Sequence, residues 1–244
     1  MRGNALRLAA ADVRLVARDP LLLIMPFVPF LAAFALRLIL PPLSAFIEGA
    51  TGFNLLGYAT LVRVVLILFP GTFYGMVAGF LLLDDRDDGV SAYWSATPVG
   101  RAGYIAVRLA LFSLAAFAAG LAIGPILGIG SAGPWRDAGA AFLGAGQTAF
   151  FALFLAAVAA DKVEGLAILK AMSGLDIVPL AILLPLPARA LAWAFPQYWA
   201  AELLAGDAPF AGGGSSPYLA LALGAVASVA WIAVLAAKYR KRID

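Results

Sequence analysis

The residues best able to do chemistry in this chain stand together. Asp84-Asp85-Arg86-Asp87-Asp88-Gly89 places five charges in a row directly after a long apolar run. Charge of that density cannot sit in hydrocarbon. A second apolar run begins near Ala102, so the charges are expected in water, in a loop joining two membrane spans. Their chemistry would be electrostatic docking, with acids pairing to a partner's basic groups and setting its register. Val90 to Ala96 can form a short helix that ends before Pro98, because a residue preceding proline is pushed out of the helical region. Tyr93 and Trp94 on that helix are aromatic anchors of the type that dominates interface energetics. The plainer alternative is a solvated loop whose charges merely end a helix, with Tyr93 and Trp94 at the membrane–water boundary.

Composition excludes other chemistries. The 244 residues include no cysteine and no histidine. There is then no disulfide framework, iron–sulfur site or thiol nucleophile, and the commonest metal ligand and general base is missing. No G-x-x-x-x-G-K-[ST] phosphate loop is present, so the chain is not expected to be an enzyme by itself, and no metal site is expected. Polar groups within the apolar runs are few: Thr72 and Tyr74 in one, Gln147 and Thr148 in another. Such groups are expensive in hydrocarbon and mark pathways. Single Gln and Thr side chains also serve as interhelical hydrogen bonds, and that reading stays open. Arg63, near the end of its run, is expected to snorkel. No ring of carboxylates crosses the membrane, so a proton or sodium relay is not indicated.

Helices must position these residues. Hydrophobic residues make up 64% of the chain and charged residues 13%, with a mean hydropathy of +0.96. Soluble domains run near ~25% charged. Six runs reach the roughly 20 apolar residues that cross a bilayer. They are about 20–40 (ending at Pro41-Pro42), 58–83, 102–124, 138–160, 175–195 (broken by Pro179, Pro185 and Pro187) and 217–237. Lipid-exposed backbone must satisfy its own hydrogen bonds. The fold expected is therefore an all-α integral membrane protein, a single domain over 1–244 with six transmembrane helices. Of the 17 Lys and Arg residues, all but Arg37, Arg63, Arg136 and Arg189 fall on one side if both termini are cytoplasmic. The positive-inside rule then gives an N-in, C-in topology in the cell (cytoplasmic/inner) membrane.

Residues 1–19 lack a signal peptide's layout and read as an interfacial helix, with Arg7, Arg14 and Arg18 on one face. An ordinary polar lead-in is the alternative. Asp12 interrupts the apolar arc, which suggests a pairing with a neighbouring helix. Gly71, Gly75 and Gly79 fall four residues apart, as do Gly120, Gly124 and Gly128. Such ladders let backbones approach closely, either within the chain or at a homodimer seam. The segment 185–216, with Trp193, Tyr198 and Trp199 around Phe195-Pro196, reads as an outer re-entrant hairpin before the last span, or as an interfacial anchor.

The stretch 87–104 resembles the cytoplasmic signature of type-2 ABC exporter permeases. The matching residues are Asp87, Asp88, Gly89, Ser91, Thr97, Pro98, Val99, Arg101 and Tyr104. Aspartates stand where that family usually has glutamates, and Val90-Ser91 replaces a common Thr-Leu. A second cytoplasmic loop, with Asp161, Lys162, Glu164 and Lys170, is similar to a stretch of drug-export members. So is Pro196-Gln197-Tyr198-Trp199, and the subgroup includes permeases described as exporting fluoroquinolones. The resemblance covers essentially the whole chain. It implies a permease subunit that exports a hydrophobic or amphipathic substrate, drug-like or lipid-like. It implies no cofactor on this chain: ATP and Mg would sit on a separate cytoplasmic ABC ATPase, present in two copies. A second permease copy, as a homodimer, would complete the translocation unit in the lipid bilayer, with no nucleic acid involved. Residues 84–101 would couple the permease to its ATPase. The alternative from another class is a non-transporting membrane anchor or scaffold that docks a cytoplasmic partner through the same loop.

Overall fold

The computed structural model describes residues 2–89, 100–211 and 214–243, and every regular element among them is helical. Helix α1 (Arg2–Arg18) turns a corner into the short α2 (Pro20–Ile24). Asp19 makes that corner. Its carboxylate accepts from the backbone N–H groups of Leu21 (2.9 Å) and Leu22 (3.3 Å), and Pro20 takes the first helical position. A 3-10 turn at Met25–Phe27 leads into α3 (Val28–Thr51), which closes on Gly52 with φ 76°.

Helix α3 runs straight through Pro41 and Pro42, so the end expected at Leu40 is too early. Proline's fixed φ suits a helix. The carbonyls it leaves without a donor, those of Arg37 and Leu38, are a loss that membrane helices tolerate.

Three long helices follow close to the expected spans: α4 (Ala59–Asp87), α5 (Gly100–Leu127) and α6 (Pro134–Val158). The fifth span differs. It runs over Lys162–Leu183 rather than 175–195. It consists of α7 (Lys162–Met172) followed by a 3-10 stretch at Ser173–Leu183. A 3-10 turn at Ala188–Ala194, helix α8 (Pro196–Ala205) and a turn at Pro209–Ala211 precede the last span, α9 (Pro217–Ile243). Six stretches are long and apolar enough to cross a bilayer, as expected of a multi-pass membrane protein.

Helices α4 and α6 form the centre, and the other spans surround them and keep one face exposed. Close approach at the centre depends on glycine. A β-carbon on Gly75 would stand 2.8 Å from both the Phe151 Cβ and the Thr148 carbonyl oxygen. One on Gly79 would stand 2.9 Å from Leu155, and Gly71 abuts the backbone of Gly144. All four of these neighbours lie on α6, so the face of this ladder is filled from within the chain. On α5, Gly120 faces Ala141, and Gly124 makes room for the side chains of Arg63 and Asp137.

Arg63 does not snorkel. It is buried at 8% exposure and binds Asp137 through two bonds, of 2.9 and 2.5 Å. It also donates to the carbonyls of Gly124 and Ile129. An acid one helix away replaces the water that snorkelling would have sought.

Candidate functional site

The acidic run is helical, not a loop. Asp84 to Asp87 form the last turn of α4, Asp88 caps it, and Gly89 takes the left-handed conformation (φ 69°) that ends it. Successive residues of a helix point about 100° apart, so the charges are dealt to different neighbours.

Asp85 turns inward. It accepts hydrogen bonds from the Tyr104 hydroxyl and the Arg108 guanidinium, both on α5. Arg108, 1% exposed, also donates to both carboxylate oxygens of Asp12, at 3.1 and 2.6 Å. One buried cation thereby joins α1, α4 and α5, and it answers the expectation that Asp12 would find a partner on another helix. Burial pushes the Asp12 carboxyl up from its ordinary value, while Arg108 pulls it down.

Asp84 accepts from Lys162 Nζ (3.2 Å), which also reaches Asp19 (2.9 Å). That contact holds the Asp19 carboxyl below its ordinary value. Arg86 reaches across to the end of α6, donating to the carbonyls of Ala159 (3.1 Å) and Ala160 (2.5 Å). Arg242 of α9 donates to the Ala157 carbonyl beside them (2.8 Å). Within the acidic run, only Asp87, Asp88 and Gly89 are exposed. Arg101, at the start of α5, is half-buried. Ser91, Tyr93, Trp94, Thr97 and Pro98, with the expected helix over 90–96, lie outside the described residues.

The stretch expected as a second loop is also helical from Lys162 onward. Asp161 accepts from the Glu164 N–H (2.8 Å), and Glu164 reaches back to the Ala160 N–H (2.5 Å). This variant of the capping box, with Glu164 on the N–H one residue before the Asp161 cap, starts a helix where charge alone suggested a loop. Lys162 joins the acidic end, while Lys170 is exposed in the last turn of α7.

At mid-bundle the structure brings two of the four candidate pathway residues together and adds one that sequence reasoning missed. Gln147 donates to Thr72 Oγ1 (2.7 Å), and both donate to Asp176 Oδ1, at 3.3 and 2.6 Å. Thr72 and Gln147 are buried, and Asp176 is half-buried. The signal was a lone carboxylate in the apolar stretch 175–184; a span boundary set at Leu175 disguised it as a terminal residue. Tyr74 and Thr148 do not join this cluster. Tyr74 lines a separate crevice with Val16, Phe27 and Phe112. Thr148 donates to the carbonyl of Gly144 in its own helix (3.4 Å).

Beside the cluster, a groove of about 750 Å³ runs between α3, α4 and the 3-10 stretch. Leu36, Val62, Phe69, Leu180 and Leu183 line it. At the end opposite the acidic run, α8 is buried along its length. Glu202 on α8 accepts from Arg189 and Tyr198. The segment reaches from Asp207, paired with Arg136 (2.5 Å), down to Trp231, midway along α9. There Trp231 stacks on Phe195 and donates to the Ala194 carbonyl (2.8 Å).

A family model described as Rv2686c-like, fluoroquinolones export permease protein, matches residues 12–236. Two curated proteins, the fluoroquinolones export permease proteins of two strains of Mycobacterium tuberculosis, are each 31% identical over 205 residues. The match covers 78% of this chain and 77% of each of theirs. No solved structure matches the chain.

Proposed function

Because the chain belongs to the Rv2686c-like fluoroquinolone export permease family, we propose that it is the membrane subunit of a two-component ABC exporter. It moves hydrophobic or amphipathic drug-like molecules, fluoroquinolones among them, out of the cell. ATP and Mg are bound and used by a separate ATPase, two copies of which serve two copies of this chain. The end of the bundle that carries Asp87 and Asp88 faces the cytoplasm, together with both termini. The segment 188–205 enters from the outer side as a re-entrant hairpin.

The observation that carries this reading is the division of the acidic run. Asp84, Asp85 and Arg86 are engaged by Lys162, Arg108 and the end of α6, so they tie the tip of α4 to four other helices. Asp87 and Asp88 are left at the surface on that braced tip. An exposed pair of charges on a rigid mount suits a coupling contact. The ATPase engages these acids with basic groups, and its closure on ATP pushes the tip and tilts the bundle.

Two experiments test the proposal. Affinity purification of the tagged chain from its native host in mild detergent is expected to bring down a stoichiometric ATPase with a phosphate-binding loop. In that complex, Asp87→Lys with Asp88→Lys abolishes substrate-stimulated ATP turnover while the permease stays folded, because both side chains are exposed and the one ion pair they make, Asp87 with Arg86 (3.4 Å), is a surface contact worth about 1 kcal/mol or less. Recovery of the chain alone, or with a partner lacking a nucleotide site, would replace the exporter by the scaffold reading. Unchanged turnover in the double variant would remove these acids from the coupling contact.

A further inference from the structure

Acids in this bundle follow a rule. Asp12, Asp19, Asp84, Asp85, Asp137 and Glu202 are all buried or half-buried, and each is matched by an Arg or Lys within ion-pairing distance. Asp176 breaks it. Among the described residues its partners are neutral, Thr72 and Gln147, and no cation lies within ion-pairing distance. Yet it sits where a carboxylate is most costly, beside Thr72 and Gln147 near the middle of α4 and α6. An acid at that depth is a functional site by default, and its partner has to be named.

The surroundings specify the partner. Both donors converge on Oδ1 of Asp176, which leaves Oδ2 for another donor. Gln147 Oε1 is buried with no hydrogen-bond partner, a second idle acceptor on a side chain only 1% exposed. A buried polar atom left unpaired costs free energy, so its retention calls for a donor that is absent here. Two idle acceptors, one of them charged, suit a cation with N–H groups and repel an anion. The apolar groove supplies the other half. Phe69, three residues before Thr72 on α4, and Leu180, four residues after Asp176 on the 3-10 stretch, both line the groove, so the two elements that carry the carboxylate and its donor also form its wall.

Resting on the export reading, we propose that Asp176, with Thr72 and Gln147, binds the ammonium group of a cationic amphipathic substrate whose apolar body lies in the groove beside it. The site therefore takes protonated amines in preference to their neutral counterparts. Asp176 supplies the charge, Gln147 Oε1 a second acceptor, and Thr72 fixes the carboxylate's orientation.

The test uses a matched pair of fluorescent probes, dansylcadaverine, which carries a primary ammonium, and its neutral N-acetyl derivative. Accumulation of each is measured in the native host, in a deletion strain, and in that strain complemented with wild type, Asp176→Asn or Asp176→Glu. The expected result is that Asp176→Asn returns the amine to the deletion level but still exports the neutral probe, which also shows that the variant folds. Asp176→Glu restores part of the amine export. Normal export of both probes by Asp176→Asn would overturn the proposal and leave the exporter reading standing. Equal loss of both would also overturn it, by giving the carboxylate a structural or coupling role. Should deletion change neither probe, the export reading falls, and the purified full chain in phosphatidylcholine nanodiscs decides the site by itself. There, Asp176→Asn is expected to weaken dansylcadaverine binding by about tenfold or more, the loss expected for a charge-assisted hydrogen bond. Equal affinity in the two proteins would sink the proposal.

Discussion

Arg108 is the most exposing place to perturb this molecule. Its guanidinium is 1% exposed and donates to Asp12 through Nε and Nη2 and to Asp85 through Nη1. Arg108→Met keeps much of the apolar stem and removes the charge. Two carboxylates from different helices are then left facing each other without a cation. Removing one partner of a buried ion pair costs roughly 3–5 kcal/mol. At about 1.4 kcal/mol per factor of ten, that is a loss of about a hundredfold to a few thousandfold in the folded-to-unfolded ratio. The assay is reversible unfolding of the full chain in mixed detergent micelles by added dodecyl sulfate, followed by tryptophan fluorescence. The cause is the stranded charge rather than a cavity, and a second variant separates the two. Asp12→Leu, Asp85→Leu and Arg108→Met together remove the whole ionic set, which is often neutral or stabilising when the volume is kept. The triple variant is therefore expected to recover most of the loss. A single variant that loses less than ~1 kcal/mol, or a triple variant as weak as the single, would refute the reasoning.

Two further predictions follow from contacts described above. Gly75→Ala drives a methyl against the Thr148 carbonyl and is expected to destabilise by about 1–3 kcal/mol as overpacking. Gly49→Ala, also helical but with nothing within 4 Å, is expected to stabilise by up to ~1 kcal/mol; the same sign for both in thermal melts would contradict the ladder's role. Asp19→Asn keeps the cap but loses the ion pair with Lys162, at a cost of about 1 kcal/mol or less. Lys162 holds the folded carboxyl below the ordinary 3.8, so the pair's contribution is complete above that value and fades as the pH falls through the lower folded one. The gap in melting temperature between wild type and variant should therefore close in acid, and a gap independent of pH would sink this account.

What the sequence revealed and what it hid have physical causes. Spans α4, α5, α6 and α9 were legible because uninterrupted apolar length is itself the signal. The fifth span was misplaced because its first turns carry Lys162, Glu164 and Lys170, and composition treats these as loop residues. The capping box of Asp161 and Glu164 had already marked a helix start in the spacing of those same residues. The acidic run was found but misread, since a hydropathy profile cannot tell a charge that faces water from one that faces Arg108. Asp12 could be assigned a partner in kind but not in name, because a pairing 96 residues apart is set by packing alone. Asp176 escaped for the opposite reason: one acid hardly alters the average of a run of leucines and isoleucines.

The end of α6 has a mechanical consequence. A helix ordinarily frays where its last carbonyls lack donors. Here Arg86 and Arg242 supply those donors from α4 and α9, so the tips of three helices are stitched at one point. A load applied at Asp87 enters the chain one residue from that stitch. Joined at their tips, the three helices share a displacement applied there. The 3-10 stretch at Ser173–Leu183 is wound more tightly, with poorer hydrogen-bond geometry, so its winding can change at less cost than that of an α-helix. That compliant segment carries Asp176.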